Sequence, residues 1–191
     1  SQIAREAVLA APRRGVLGMH PTLLPEGRGR AAIPWAILKG LRETGVTLFQ
    51  LDQGVDTGPI LAKEVVAIAP RETAGSLYTR VDQAHRTLIR RVWNDLASDR
   101  ISPRPQDPLA GSVWPARKPE DGRLDLAMSW VEADRLIRAV TRPYPGAFLD
   151  LNGKRLRIWA AQPGDERGGN LNLRFSDGPL ELLDYNHEEL P

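Results

Sequence analysis

The chain has 191 residues, 41% of them hydrophobic and 26% charged, which suits one globular domain or two small ones. It contains no cysteine, so disulfides, thiolate metal sites and cysteine nucleophiles are excluded. No run approaches the ~20 apolar residues of a membrane span and no signal-peptide pattern opens the chain, so a cytoplasmic protein without a membrane partner is expected. The net charge of +2 lacks the cation excess of a nucleic-acid binder. The pI of 9.2 reflects arginine usage, with lysine only at 39, 63, 118 and 154. Arginine suits planar anions such as phosphate, and a simple compositional bias toward arginine explains the count equally well.

Residues 4–10 read as a short helix ended near Pro12. Gly15 to Met19 is an apolar run that fits a buried strand and delivers His20 at its end. The stretch from Pro21 to Arg30 is a loop by its proline and glycine content. Ala31 to Lys39 is helical in character, with Gly40 as the stop. Val46 to Leu51 forms a second apolar strand and runs into the glycine-bearing turn Gln53 to Gly58. A third strand is expected around Glu64 to Ile68. A long helix follows over 74–97, where Leu77, Val81, Ala84, Leu88, Val92 and Leu96 recur at helical spacing. The proline-rich segment Ser102 to Pro108 reads as a linker. Beyond it come a helix near 131–141 and short strands around 146–160 and 171–184, punctuated by Asn152-Gly153 and Asp177-Gly178. Strands alternating with helices imply an α/β layered sheet for residues 1–109, and residues 110–191 form a small strand-rich unit. Two or three strands is fewer than the ~4–6 usual for such a sheet, so the chain reads as starting inside a domain.

His20 and Asp56 each follow an apolar strand, where α/β sheets place their ligands. Neighbouring parallel strands would bring the two side chains together at their carboxyl ends, and a carboxylate beside an imidazole prepares it for acid–base work. Spacing alone equally allows a surface histidine and an unrelated turn aspartate. His85 and His187 read as solvated, and the three histidines have no metal-ligand spacing. The five tryptophans, one per segment, read as core packing. Arg135, Arg138 and Arg142, at helical spacing, read as a solvated helix face in preference to a phosphate or tRNA-backbone contact.

Four strings in order carry a resemblance: His20-Pro-Thr-Leu-Leu-Pro25, Arg28-Gly-Arg30, Thr44-Gly-Val-Thr47 and Asp52-Gln-Gly-Val-Asp-Thr-Gly58. Together they resemble the formyltransferases that use 10-formyltetrahydrofolate. Ala116-Arg-Lys-Pro-Glu-Asp-Gly122 and Thr141-Arg-Pro-Tyr-Pro-Gly-Ala-Phe148 extend the likeness toward the methionyl-tRNA and amino-sugar branches. The resemblance implies a Rossmann-like catalytic domain with a parallel-rich sheet, here without its first strand–helix units, followed by a small OB-like domain. It implies that His20 is the catalytic histidine and Asp56 the aspartate that raises its pKa. For the folate it implies a pocket of Gln2, Ile3 and Ala4, the loop Thr22, Leu23, Leu24 and Pro25, the contact Arg30, and the opposite wall Asp52, Gln53, Gly54 and Val55. No metal is implied. The acceptor amine would attack the formyl carbon while the histidine manages the proton.

The chain departs from the family at Gly18, where an asparagine usually donates to the oxyanion. A different donor, a slow enzyme and a folate- or sugar-nucleotide-binding paralogue without catalysis are the three readings of that change. Residues 146–191 are net acidic, which favours a small acceptor, a nucleotide-linked amino sugar, over methionyl-tRNA. The oligomeric state is not legible.

Overall fold

The computed structural model describes residues 5–165 and 171–190. Its α-helices and strands are α1 Glu6–Ala10, β1 Leu17–His20, β2 Arg28–Gly29, α2 Ala32–Leu38, β3 Glu43–Gln50, β4 Ile60–Ala67, α3 Ala74–Ala97, β5 Val113–Trp114, α4 Trp130–Val140, β6 Ala147–Leu151, β7 Lys154–Pro163, β8 Asn172–Arg174 and β9 Pro179–Glu189. They fall into two units. One holds the described residues as far as Ala32 together with Arg42–Ala69 and Tyr78–Ala116; the other holds Ile33–Leu41, Pro70–Leu77 and the described residues from Arg117 on.

In the first unit, β1, β3 and β4 form a sheet in that order. Six successive residues of β3, Thr44 to Phe49, are buried, which is why its sequence reads as an apolar run instead of alternating. Both pairings are antiparallel, His20 facing Thr47 and Val46 facing Glu64. The expected parallel neighbourhood of β1 and β3 is therefore corrected. An apolar run encodes burial and not direction, and the residues between the two strands are numerous enough for either sense. Parallel pairing occurs between β2 and β5, with Arg28 beside Val113 and Gly29 beside Trp114. Along α3, Leu77, Val81, Ala84, Leu88 and Val92 make the buried stripe that the helical spacing announced. Arg91 pairs with Glu64 and donates to the Lys63 carbonyl at 2.6 Å, tying the helix to β4. Trp93 lies off that stripe and is 62% exposed, contrary to the core role expected of it.

The second unit is built on the antiparallel sheet β6-β7-β9-β8. Asn152 and Gly153, both at positive φ, make the tight turn between β6 and β7 that Asn-Gly signals. Helix α4 starts at a capping box: the Ser129 hydroxyl accepts from the Glu132 N–H, and the Glu132 carboxylate accepts from the Ser129 N–H at 2.9 Å. The Ser129 hydroxyl, which also lies 2.7 Å from the Glu132 carboxylate, is the main cause that holds the Glu132 carboxyl below its usual range, and the Ser129 N–H is the second.

The polar face of α4 is not solvated throughout. Asp134 is 5% exposed and accepts from Arg71 at 2.6 Å and Arg138 at 2.8 Å. Arg138 also donates to the Glu72 carbonyl at 2.8 Å and Arg71 to the Ala161 carbonyl at 2.6 Å. One carboxylate thus bolts segment 70–77 to α4 and β7. Arg142 stacks over Trp159 at 4.3 Å and pairs with Asp184. Arg138 is thus engaged within the fold, while Arg142 lies past the end of α4 in a surface pair with its side chain 62% exposed.

Candidate functional site

The site grows from the end of β1. His20 is the last residue of that strand and is 8% exposed. Its Nε2 lies 2.8 Å from the Gly27 carbonyl oxygen. A carbonyl only accepts, so Nε2 carries a proton and donates. The other ring nitrogen, Nδ1, lies 3.4 Å from Asp56 Oδ2, within ion-pair range and longer than a settled hydrogen bond.

Asp56 arrives from the loop joining β3 to β4. Its backbone has φ of 56°, left-handed for a residue with a side chain, and costs about 1–3 kcal/mol that the surroundings must hold in place. Several contacts do so. The loop closes where the Gln50 N–H donates to the Pro59 carbonyl at 2.9 Å. Gly58 is required there, since a Cβ would stand 1.8 Å from the Gln50 carbonyl oxygen. Asp52 folds the loop's near side by accepting from the Gly54 N–H and the Thr57 hydroxyl at 3.0 and 2.8 Å. Asp56 Oδ2 itself accepts from the Gly29 N–H at 2.8 Å. Gly29 has φ of 104°, and a Cβ there would lie 2.4 Å from the Trp114 carbonyl oxygen, so only glycine lets β2 approach β5 this closely.

Two residues of the segment read as a linker, and the first residue of β2, complete this arrangement. Arg28 is 7% exposed, and its guanidinium reaches Gln106 Oε1 from Nη2 at 2.8 Å and from Nε at 3.2 Å. Gln106 Nε2 donates to the carbonyls of Asp56 and Gly58 at 2.9 and 2.8 Å. Arg104 exchanges two backbone hydrogen bonds with Ile60, each 2.8 Å, so the segment lies along β4 as a short added bridge. Prolines at 103, 105 and 108 made this stretch look like a spacer, but they also stiffen it, and a stiff strap is what it is here.

The remaining candidates are distributed unevenly. Gln2, Ile3 and Ala4 lie outside the described residues. Thr22 and Leu24 are buried, Leu23 and Pro25 half-buried, Arg30 and Asp52 to Val55 exposed. Leu24 is part of the core, its N–H donating to Thr47 Oγ1 at 3.1 Å. Thr22 Oγ1 is buried without a hydrogen-bond partner. His85, expected in solvent, is half-buried on α3, and its pKa is lowered chiefly by burial. A hydrogen bond with the Val81 backbone and the nearby Asp82 oppose that shift, while the charge of His20 adds to it.

Comparison with known proteins places residues 1–92 in the family described as formyl transferase and residues 117–189 in the formyl transferase C-terminal domain. A methionyl-tRNA formyltransferase of Myxococcus xanthus is 37% identical over 200 residues, covering 98% of this chain and 63% of the relative. The chain thus spans less than two thirds of that relative's length. Among solved structures, HypX from Aquifex aeolicus in complex with tetrahydrofolic acid matches with a TM-score of 0.74 at 24% identity, over 88% of this chain and 31% of that one. An N-formyltransferase from Helicobacter canadensis, in complex with folinic acid and dTDP-3-aminofucose, matches with a TM-score of 0.66 at 21% identity, over 90% and 66%. At these identities the two structures bear on the fold.

Proposed function

The chain belongs to the formyl transferase family, and from that premise we propose that it transfers a formyl group from 10-formyltetrahydrofolate to the primary amine of a nucleotide-linked amino sugar. The observation that carries the chemistry is the buried His20, with Nε2 committed to Gly27 and Nδ1 facing Asp56. Transfer makes a bond from the amine nitrogen to the formyl carbon and breaks the bond from that carbon to the donor nitrogen. One proton leaves the amine and one reaches the departing nitrogen. In this reading His20 handles the proton at its Nδ1 edge, and Asp56 offsets the positive charge the ring then carries. The donor is a substrate, and the Thr22 to Pro25 loop and the Asp52 to Val55 turn are the walls assigned to it.

For the acceptor, the cations of the second unit support a small molecule. Arg155 pairs with Asp150 at 2.8 Å, Arg157 with Glu188 at 2.7 Å and Arg142 with Asp184 at 2.6 Å. The Asp150 carboxyl is held below its usual range by Arg155 first and Arg123 second, and Glu188 by Arg157. Cations neutralised in this way are poor grips for a phosphate backbone. Methionyl-tRNA is the second reading, favoured by the Myxococcus xanthus relative. A panel of amino-sugar nucleotides and methionyl-tRNA, each tested at two salt concentrations, separates the two. A sugar acceptor should show a KM nearly independent of salt, whereas a tRNA acceptor should weaken by orders of magnitude as salt rises.

Gly18 bears on the same reading. A Cβ at this position would stand 2.5 Å from Leu51 Cδ2 and 3.2 Å from its Cγ, so the Leu51 side chain fills the space an asparagine would enter. Gly18→Asn is expected to change kcat less than about tenfold. A rise toward the ~10²–10³ contributed by one oxyanion donor would show that the donor position is vacant.

A further inference from the structure

We infer that Gln106 is a positioning residue for the His20–Asp56 pair, acting through the turn that carries Asp56. The inference rests on the formyl-transfer reading for its kinetic consequence, but not for its geometry. The contacts close into a ring. His20 donates to Gly27, and the next residue, Arg28, sends its guanidinium to Gln106. Gln106 donates to the backbone on both sides of Thr57, and the Gly29 N–H, one residue past Arg28, returns to the Asp56 carboxylate. That carboxylate faces His20.

The chemistry of the ring calls for a side-chain amide at this position, which Gln106 supplies. Arg28 offers donors alone, and the carbonyls of Asp56 and Gly58 offer acceptors alone. The bridging side chain must therefore accept at one end and donate twice at the other, and this demand also fixes which way the Gln106 amide points. Among the described residues no carboxylate pairs with Arg28. Its guanidinium donates instead to Gln106 Oε1 and to the carbonyls of Ala110 and Asp107, the latter two at 3.4 and 3.5 Å. A guanidinium on the amide oxygen strengthens the amide N–H groups as donors. They act on the residue held at positive φ, where the backbone would otherwise relax and carry the carboxylate away from the imidazole.

Two substitutions separate positioning from mere packing. Gln106→Glu keeps an acceptor for Arg28, adds an opposite charge to it, and places carboxylate oxygens against two carbonyls that need donors. Gln106→Ala removes both ends and leaves room for water. In the full-length protein, Gln106→Glu is expected to fold with a melting midpoint close to the wild type. Its kcat should fall about tenfold or more with the KM for 10-formyltetrahydrofolate little changed, as for a residue that matters only when the proton moves. The imidazole NMR signals of His20, assigned by their loss in His20→Gln, should move in Gln106→Glu as Asp56 withdraws; should that variant not fold, Gln106→Ala is read in the same way.

Unmoved His20 signals in a folded variant overturn the inference, whether or not the protein transfers formyl groups. Wild-type kcat in folded Gln106→Glu overturns it as well. A wild-type protein inactive toward every acceptor, with His20 signals that still move in the variant, overturns the formyl-transfer reading and leaves the positioning role standing.

Discussion

His20→Ala should lower formyl transfer by ~10²–10⁴-fold, the usual contribution of a positioned acid–base group, while folate binding changes little. The reason is geometric. His20 is almost fully buried at the end of β1, with one ring nitrogen on Gly27 and the other beside Asp56. None of these contacts is one that a pterin would need for binding. Steady-state kinetics and a folate titration on the same preparation check both halves. Retention of more than about a tenth of the activity would remove His20 from the proton-transfer role. Loss of folate binding together with activity would instead make it a structural support of the pocket.

Asp134→Ala should produce the largest loss of stability among single substitutions in the second unit, about 3–5 kcal/mol, the range found when one partner of a buried ion pair is removed. Arg138, with a side chain 11% exposed, would then lose its carboxylate partner while remaining held against the Glu72 carbonyl. Arg71 would lose the same partner, although its half-exposed side chain lets water replace part of that contact. Chemical denaturation of the wild type, Asp134→Ala and Asp134→Asn measures the effect. Asparagine retains one acceptor oxygen and should recover part of the loss. A loss below about 1 kcal/mol would place this network with ordinary surface pairs.

The sequence carried the elements better than their arrangement. Helix α3 was legible because Leu77, Val81, Ala84, Leu88 and Val92 fall on one face, and its bounds agree with that spacing. The β6–β7 turn was legible because Asn152 and Gly153 tolerate positive φ. Strand direction was not, because the apolar run of β3 records burial on both faces and that of β1 only its apolar character, and neither says anything of sense. Trp93 was misread because a tryptophan one position past Val92 turns off the buried stripe, whatever its apolar area. Arg138 was misread because helical spacing alone cannot distinguish a solvated arginine from one that reaches back four residues to a buried Asp134.

The site divides in the same way. His20 and Asp56 stood out as chemistry-bearing residues after apolar runs, and the structure brings them within 3.4 Å. The support beneath them did not stand out. Arg28 belongs to a short loop string and Gln106 to a proline-rich stretch, and their hydrogen bond spans 78 positions of sequence. No local pattern links residues that far apart. What the stretch did contain was a glutamine, a side chain with matched donor and acceptor ends, fixed between prolines that stiffen the backbone.

The most direct measurement follows an isotopically labelled formyl carbon from 10-formyltetrahydrofolate, incubated with the full-length protein and the acceptor panel, by mass spectrometry of the acceptors. The expected result is an amino-sugar nucleotide that gains the label and the mass of CO, with an equal amount of tetrahydrofolate released, and both products formed ~10²–10⁴-fold more slowly by His20→Ala. Label that stays on the folate with every acceptor, in a protein that binds the folate, would contradict formyl transfer and leave a binding protein in its place.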